Sequence, residues 1–208
     1  MKNNYVTWIL IVLTLAVGVI AYPQLSEQLP IHWSNAQADT FVHKSVAILT
    51  IPALMVLSYA FISLGLKLTE NETKNLSLVN KVTNYTFAVL LVVQLFILAF
   101  GLGMEPNIGH IQGGLLGIVC IILANPMQKA KPNLIYGLRT PWTLKDERVW
   151  KKSNRFSAKL LMAVGILILI FTFIFPNEII TISLLLIVVG MAVAIWHSYY
   201  VYKKIKES

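Results

Sequence analysis

A chain of 208 residues that is 57% hydrophobic and only 12% charged falls well short of the roughly 25% charged residues usual in a soluble domain. Its net charge of +8 would suit nucleic acid if the chain were soluble. Here that charge sorts with a membrane arrangement, so direct nucleic-acid binding is not expected. One cysteine, Cys120, excludes an intramolecular disulfide and a thiolate metal cluster.

Six long apolar runs occupy most of the chain: Tyr5–Ala21, Ser45–Leu66, Tyr85–Leu102, Ile108–Ala124, Leu160–Phe175 and Ile179–Ile195. They predict an all-α, polytopic integral membrane protein with six transmembrane helices. The gaps between the runs fall alternately on the two sides of the bilayer. Of the 17 Lys and Arg residues, only Lys44 falls on one side and the rest fall on the other. Basic residues are retained in the cytoplasm, so both termini are expected inside a cell membrane. The basic side would also face anionic membrane lipids. Two modules are expected: residues 1–66, two helices joined by an extracellular loop 23–44, and residues 67–208, four helices carrying a cytoplasmic loop 125–159.

In chain order, the first run follows Lys2 and resembles a signal peptide. Its length exceeds a typical secretory core of about 7–15 residues, and Val19-Ile20-Ala21 is a poor cleavage site. An uncleaved helix is therefore expected, with Tyr5 and Trp8 at the interface. The next loop is stiffened by Pro23 and Pro30, which exclude regular helix around them. It carries His32, Trp33, Asp39, His43 and Lys44, the candidates for recognition of an external ligand. An interfacial tryptophan anchor with incidental polar neighbours is the alternative. His32, Asp39 and His43 have zinc-ligand chemistry but match no tight metal motif, so no metal and no cofactor are expected.

Pro52 falls early in the second run and should kink it. Gln94 is the one strongly polar residue deep in the third, expected to hydrogen-bond a neighbouring helix or, less simply, to line a path. Gly113 and Gly117 form a GxxxG pair in the fourth, with the third span as the expected neighbour. No Asp, Glu, Lys or Arg sits in the middle of a run, which argues against coupled transport.

The loop 125–159 is the longest polar stretch. Pro126, Pro132, Gly137 and Pro141 predict an ordered, non-helical first half. Thr143, with Asp146 and Glu147 behind it, predicts a helix N-terminus. Val149, Trp150, Ser153, Phe156 and Leu160 then repeat at helical spacing among Lys and Arg. That pattern predicts a basic amphipathic helix on the inner leaflet before helix five, either anchoring lipid or docking a cytoplasmic protein. Trp196, Tyr199, Tyr200 and Tyr202 precede Lys203, Lys204 and Lys206, an aromatic belt with a cytoplasmic anchor.

The run Asn125-Pro126-Met127, then Lys131-Pro132-Asn133-Leu134-Ile135-Tyr136-Gly137-Leu138-Arg139-Thr140-Pro141-Trp142-Thr143, then Asp146, Val149-Trp150 and Asn154-Arg155, resembles the signature of the SdpI immunity proteins of Bacillus and their relatives. Pro30-Ile31-His32-Trp33, Lys44 and Pro52 resemble the amino-terminal module that accompanies it. The resemblance implies a membrane protein, not an enzyme, that protects the cell from a secreted SDP-like peptide toxin. It further implies a sensor that sequesters a cytoplasmic transcriptional autorepressor at the membrane. On that reading toxin would meet His32, Trp33, Asp39, His43 and Lys44. The docking face would come from Asn125, Asn133, Gly137, Arg139, Thr140, Pro141, Trp142, Thr143, Asp146, Trp150 and Arg155. A small transporter or lipid-handling protein is the alternative, served only by Gln94, His110, Gln112 and Asn125. A membrane hydrolase finds no HExxH, no GxSxG and no paired carboxylates in the spans.

Overall fold

The computed structural model describes residues 4–34, 37–68, 76–133 and 136–207. Lys2, Leu134 and Ile135, invoked above, lie outside the described residues. Seven α-helices and one antiparallel hairpin follow in chain order: α1 (Tyr5–Ala21), a 3-10 turn (Tyr22–Gln24), β1 (Gln28–Ser34), β2 (Gln37–His43), α2 (Lys44–Leu68), α3 (Leu76–Gly101), α4 (Ile108–Met127), α5 (Pro141–Lys145), α6 (Glu147–Ile174) and α7 (Ile179–Lys206). Among the described residues, all of these helices but α5 are long and apolar enough to cross a membrane, six in total. At about 1.5 Å per residue, the 17 residues of α1 reach about 26 Å, close to the roughly 30 Å of a hydrocarbon core. Their outward faces are apolar, as in Phe61 and Phe173, 75% and 79% exposed. A lipid-facing helix has no reason to hide them.

The chain forms two compact units, Met1–Leu76 with Asn80–Ile108, and Ser77–Val79 with Gly109–Ser208. The first holds α1, the hairpin, α2 and most of α3. Its core gathers Ile11, Leu29, Ala47, Ile51, Met55, Phe87 and Leu98. The chain between α1 and α2 is a hairpin where a loop without regular structure is expected. Leu29, Trp33 and Val42 face the core while Gln28, His32 and His43 stay exposed; strict alternation fails at Pro30–Ile31 and at Asp39–Phe41, where the ladder is irregular. Pro30 cannot donate to the ladder, and the register breaks beside it, as strand prolines require.

Polar groups inside this unit mostly find partners within reach. Thr14 and Thr50 return their hydroxyls to the carbonyls of Leu10 and Val46, four residues back, at 2.7 and 2.8 Å. Asn84 on α3 accepts from the Thr7 hydroxyl at 2.7 Å and from the Asn4 amide at 3.1 Å, and its own amide reaches Asn4 Oδ1 at 3.3 Å. This knot joins α1 to α3. Gln94 is fully buried, yet neither its Oε1 nor its Nε2 has a hydrogen-bond partner among the described residues, against the expected interhelical bond.

In the second unit, α4 runs on through Asn125 and Pro126 to Met127, past the expected end at Ala124. Its glycine face meets α6, not the third span: a Cβ on Gly117 would sit 2.7 Å from Leu169 Cγ and 2.9 Å from the Gly165 carbonyl. Gly165 answers from the other side, its Cβ position 2.8 Å from the Gly117 carbonyl. Two glycines facing each other bring the backbones together, which is what packing without a hydrophobic driving force needs. The expected separate surface helix is instead the first turns of α6. Nothing between Glu147 and Ile174 interrupts the helix. Val149, Trp150, Ser153, Asn154, Ser157 and Ala158 bury one side of those turns while Lys151, Lys152, Arg155 and Lys159 stay exposed.

The glycine contact yields a test. Gly117→Leu should destabilise the purified protein in detergent by about 1–3 kcal/mol, as overpacking does. Gly114→Leu, with nothing within 4 Å of its Cβ position, should leave the apparent Tm unchanged.

Candidate functional site

Two polar regions remain, one in each unit. In the hairpin, Pro30 pairs with Phe41, His32 with Thr40 and Trp33 with Ala38, so Ile31 and then Asp39 are extra residues in their strands. Such bulges re-aim side chains. His32 Nδ1 lies 2.7 Å from Asp39 Oδ1, and the Ser34 hydroxyl donates to Asp39 Oδ2 at 2.6 Å. The Ser34 hydroxyl first, then His32, hold the Asp39 carboxyl below its ordinary value. His32 and Asp39 are exposed, whereas Trp33 packs inward against Phe96 and Phe100, with ring centroids 5.3 and 5.6 Å away.

The other candidates gather on Glu27, which sequence reading passed over because nothing marks it but its charge. Lys44 Nζ lies 3.0 Å from Glu27 Oε1, and His43 Nε2 lies 3.2 Å from Oε2. Lys44 also sits 4.8 Å above the Tyr22 ring and reaches the Leu25 carbonyl at 3.4 Å, leaving its side chain 12% exposed. Hydrogen bonding and charge from Lys44 pull the Glu27 carboxyl below its ordinary value. Lys44 thus ties the hairpin base to the start of α2. His32 with Asp39 and His43 with Glu27 form separate pairs, and no group of three or more metal-ligating side chains gathers among the described residues.

The loop between α4 and α6 is held by its own side chains. Asn133 Oδ1 accepts from the Tyr136 amide and its Nδ2 donates to the Lys131 carbonyl, each at 2.7 Å. The Tyr136 hydroxyl donates to the Leu123 carbonyl of α4, and burial pushes its phenol up to about 12. Tyr136 therefore keeps its proton. Thr140, not Thr143, caps the next helix: its hydroxyl accepts from the Thr143 amide while the Thr143 hydroxyl accepts from the Thr140 amide, a capping box around Pro141. Asp146 caps α6 in turn, accepting from the Arg148 amide at 2.7 Å and from the Arg148 guanidinium at 3.0 Å. The Arg148 contact holds the Asp146 carboxyl low.

Trp150 and Asn154, one turn apart on α6, close the loop from below. Trp150 Nε1 donates to the Ala130 carbonyl at 2.7 Å, and Asn154 Oδ1 accepts from the Leu138 amide at 2.7 Å. Gly137 fits over them at φ 111, where a Cβ would lie 2.5 Å from Asn154 Oδ1 and 3.2 Å from the Trp150 ring. Both the backbone conformation and the space demand glycine. Trp142 lies against α7, donating to the Ser198 hydroxyl at 3.0 Å with its ring edge on Tyr199. Of the signature residues, Asn133, Thr140, Thr143 and Trp150 are buried. Asn125, Arg139, Pro141 and Arg155 are exposed, and Gly137, Trp142 and Asp146 lie between. Asn154, quoted in the signature run but not counted among the docking residues, carries as much of this frame as any of them.

Comparisons with known proteins place the chain in a family. Residues 129–200 match the model of the SdpI/YfhL protein family, and residues 9–56 match a domain of unknown function, DUF1648. The chain is 38% identical over 209 aligned residues to the Immunity protein SdpI of Bacillus subtilis (strain 168), covering 100% of both chains. It is 37% identical over 60 residues to the Uncharacterized protein YfhL of the same organism, covering 29% of this chain and 54% of that one. No solved structure matches. The chain belongs to the SdpI family, a family of membrane immunity proteins and not of enzymes.

Two measurements check these sites. The contribution of Asp39 and Glu27, whose native values are lowered, is fully present above the ordinary 3.8 and 4.5 and disappears as pH falls through the lower native values. Trp33 fluorescence should therefore change on acidification below 3.8, and Asp39→Asn should show the change already at neutral pH. In the loop, Asn154→Ala leaves the Leu138 amide unpaired and should cost about 1–3 kcal/mol, with faster hydrogen exchange across residues 136–143.

Proposed function

We propose that this chain protects the membrane that holds it from a secreted peptide toxin, and that it reports toxin occupancy to a cytoplasmic autorepressor. The full-length match to the Immunity protein SdpI of Bacillus subtilis carries this reading. The distribution of Lys and Arg supports an orientation with both termini inside, which places the hairpin outside and the loop before α6 inside.

Toxin would then meet the exposed His32–Asp39 pair and the rim at His43, with Trp33 and Lys44 stiffening the hairpin from within. The inner docking face would be drawn from the exposed Asn125, Arg139, Pro141 and Arg155, with half-buried Trp142 beside them. Asn133, Gly137, Thr140, Thr143, Asp146 and Trp150 would hold that face in shape. Signalling requires toxin to favour one helix arrangement over another, because a ligand shifts an equilibrium only by its differential affinity.

Expression in a toxin-sensitive strain should give survival under purified SDP-like peptide. Unchanged killing at normal membrane insertion overturns the immunity reading. Arg139→Ala and Arg155→Ala, at normal insertion, should abolish membrane capture of the repressor while leaving survival within about threefold of the parent. Unaltered capture removes these residues from the docking face.

A further inference from the structure

A basic cavity in the α4–α7 unit shares Arg155 with the proposed docking face and otherwise uses residues that neither candidate region claims. It has a volume of about 620 Å³ and is lined by Lys152, Arg155, Phe156 and Lys159 of α6, His197 of α7 and Gln128. No carboxylate lines it, and among the described residues none of its three cations has an ion-pair partner. His197 stacks on Phe156 at 3.7 Å and 13°, which fixes the imidazole, and its Nδ1 has no hydrogen-bond partner. Three unpaired cations around one concavity repel each other, and an anion would relieve them.

The position of the cavity along the helices narrows the choice of anion. On α6 the apolar stretch begins at Leu160, one residue past Lys159; on α7 it ends at Ile195, two residues before His197. The cations therefore sit at the edge of the apolar layer, beside Trp196, Tyr199 and Tyr200, which mark the headgroup level. A separate apolar cavity of about 260 Å³, lined by Leu160, Leu161, Val164, Met191 and Ala194, occupies the adjoining turns of the same two helices. The two linings abut at Met127 and Gln128, at Phe156 and Ser157, and one turn apart at Ala194 and His197. A soluble phosphate would use only the basic half of this pair.

We propose that this cavity binds the phosphate of an anionic glycerophospholipid, through Lys152, Arg155 and Lys159, with His197 as the neighbouring polar wall and an acyl chain along the apolar cavity. The site does not depend on the toxin reading, and lipid retention is measured without toxin or repressor.

The test is native mass spectrometry of the full chain in detergent, with dioleoylphosphatidylglycerol, dioleoylphosphatidylcholine or inorganic phosphate as the probe. The phosphatidylglycerol should be retained about tenfold better than the phosphatidylcholine. The triple change Lys152→Gln, Arg155→Gln and Lys159→Gln should erase that preference. The same charge removed at the end of α7, by Lys203→Gln, Lys204→Gln and Lys206→Gln, should leave it intact. If the triple variant loses helical content, Arg155→Gln alone should lower retention about threefold. Equal loss in both triple variants, or absence of any preference, overturns the proposal in favour of diffuse surface attraction. Displacement of the lipid by an equal concentration of inorganic phosphate overturns it in favour of a soluble anion.

Discussion

A protein inside hydrocarbon must satisfy its polar groups from its own atoms, and that constraint organises this molecule. The helices answer it for the backbone. Thr14, Thr50, Thr86 and Thr172 answer it for their hydroxyls by bonding the carbonyl four residues back. Asn4, Thr7 and Asn84 answer it together and fasten α1 to α3. Where the chain leaves the helical state it does so in two pieces, each carrying its own partners: a hairpin with ladder bonds, and a loop whose amides are received by Asn133, Thr140, Asp146 and Asn154. Gln94, with both amide atoms unmatched among the described residues, departs furthest from this rule; Trp33 Nε1, His197 Nδ1 and the hydroxyls of Ser153, Ser157 and Ser183 are unmatched as well.

That division explains what could be read from the sequence. Apolar length alone marks the six long helices, because bilayer thickness sets a length that no soluble core requires. The first helix has the bounds that its apolar run announces. The others overrun theirs: α3 starts at Leu76, α6 at Glu147, and α4 runs on through Pro126 to Met127, since helical backbone can continue into polar sequence past the apolar layer. Hydropathy reports the lipid layer, and capping reports the helix. The hairpin was hidden by its prolines, which argue against helix but say nothing against a bulged edge strand.

The polar regions were legible as positions and not as pairs. His32 and Asp39 stand seven residues apart and become neighbours because the hairpin folds one strand back on the other, a pairing that no local pattern announces. Lys44 looks like an exception to a charge rule, yet Glu27 neutralises it at 3.0 Å, a contact between residues that no local pattern links. The glycines of α4 announce a close approach and do not name the partner. Gly165, alone in its own apolar run, supplies the partner, because two bare backbones pack closer than a backbone and a side chain.

The unbroken course of α6 has a mechanical consequence. Its 28 residues form a rod of about 42 Å, rooted among the loop carbonyls at one end and lodged in the apolar layer at the other. A tilt of about 5° in such a rod swings one tip about 4 Å relative to the other. Trp150 and Asn154 grip the loop directly from this rod, so a swing of its base would bear on the Ala130 and Leu138 backbone through two hydrogen bonds.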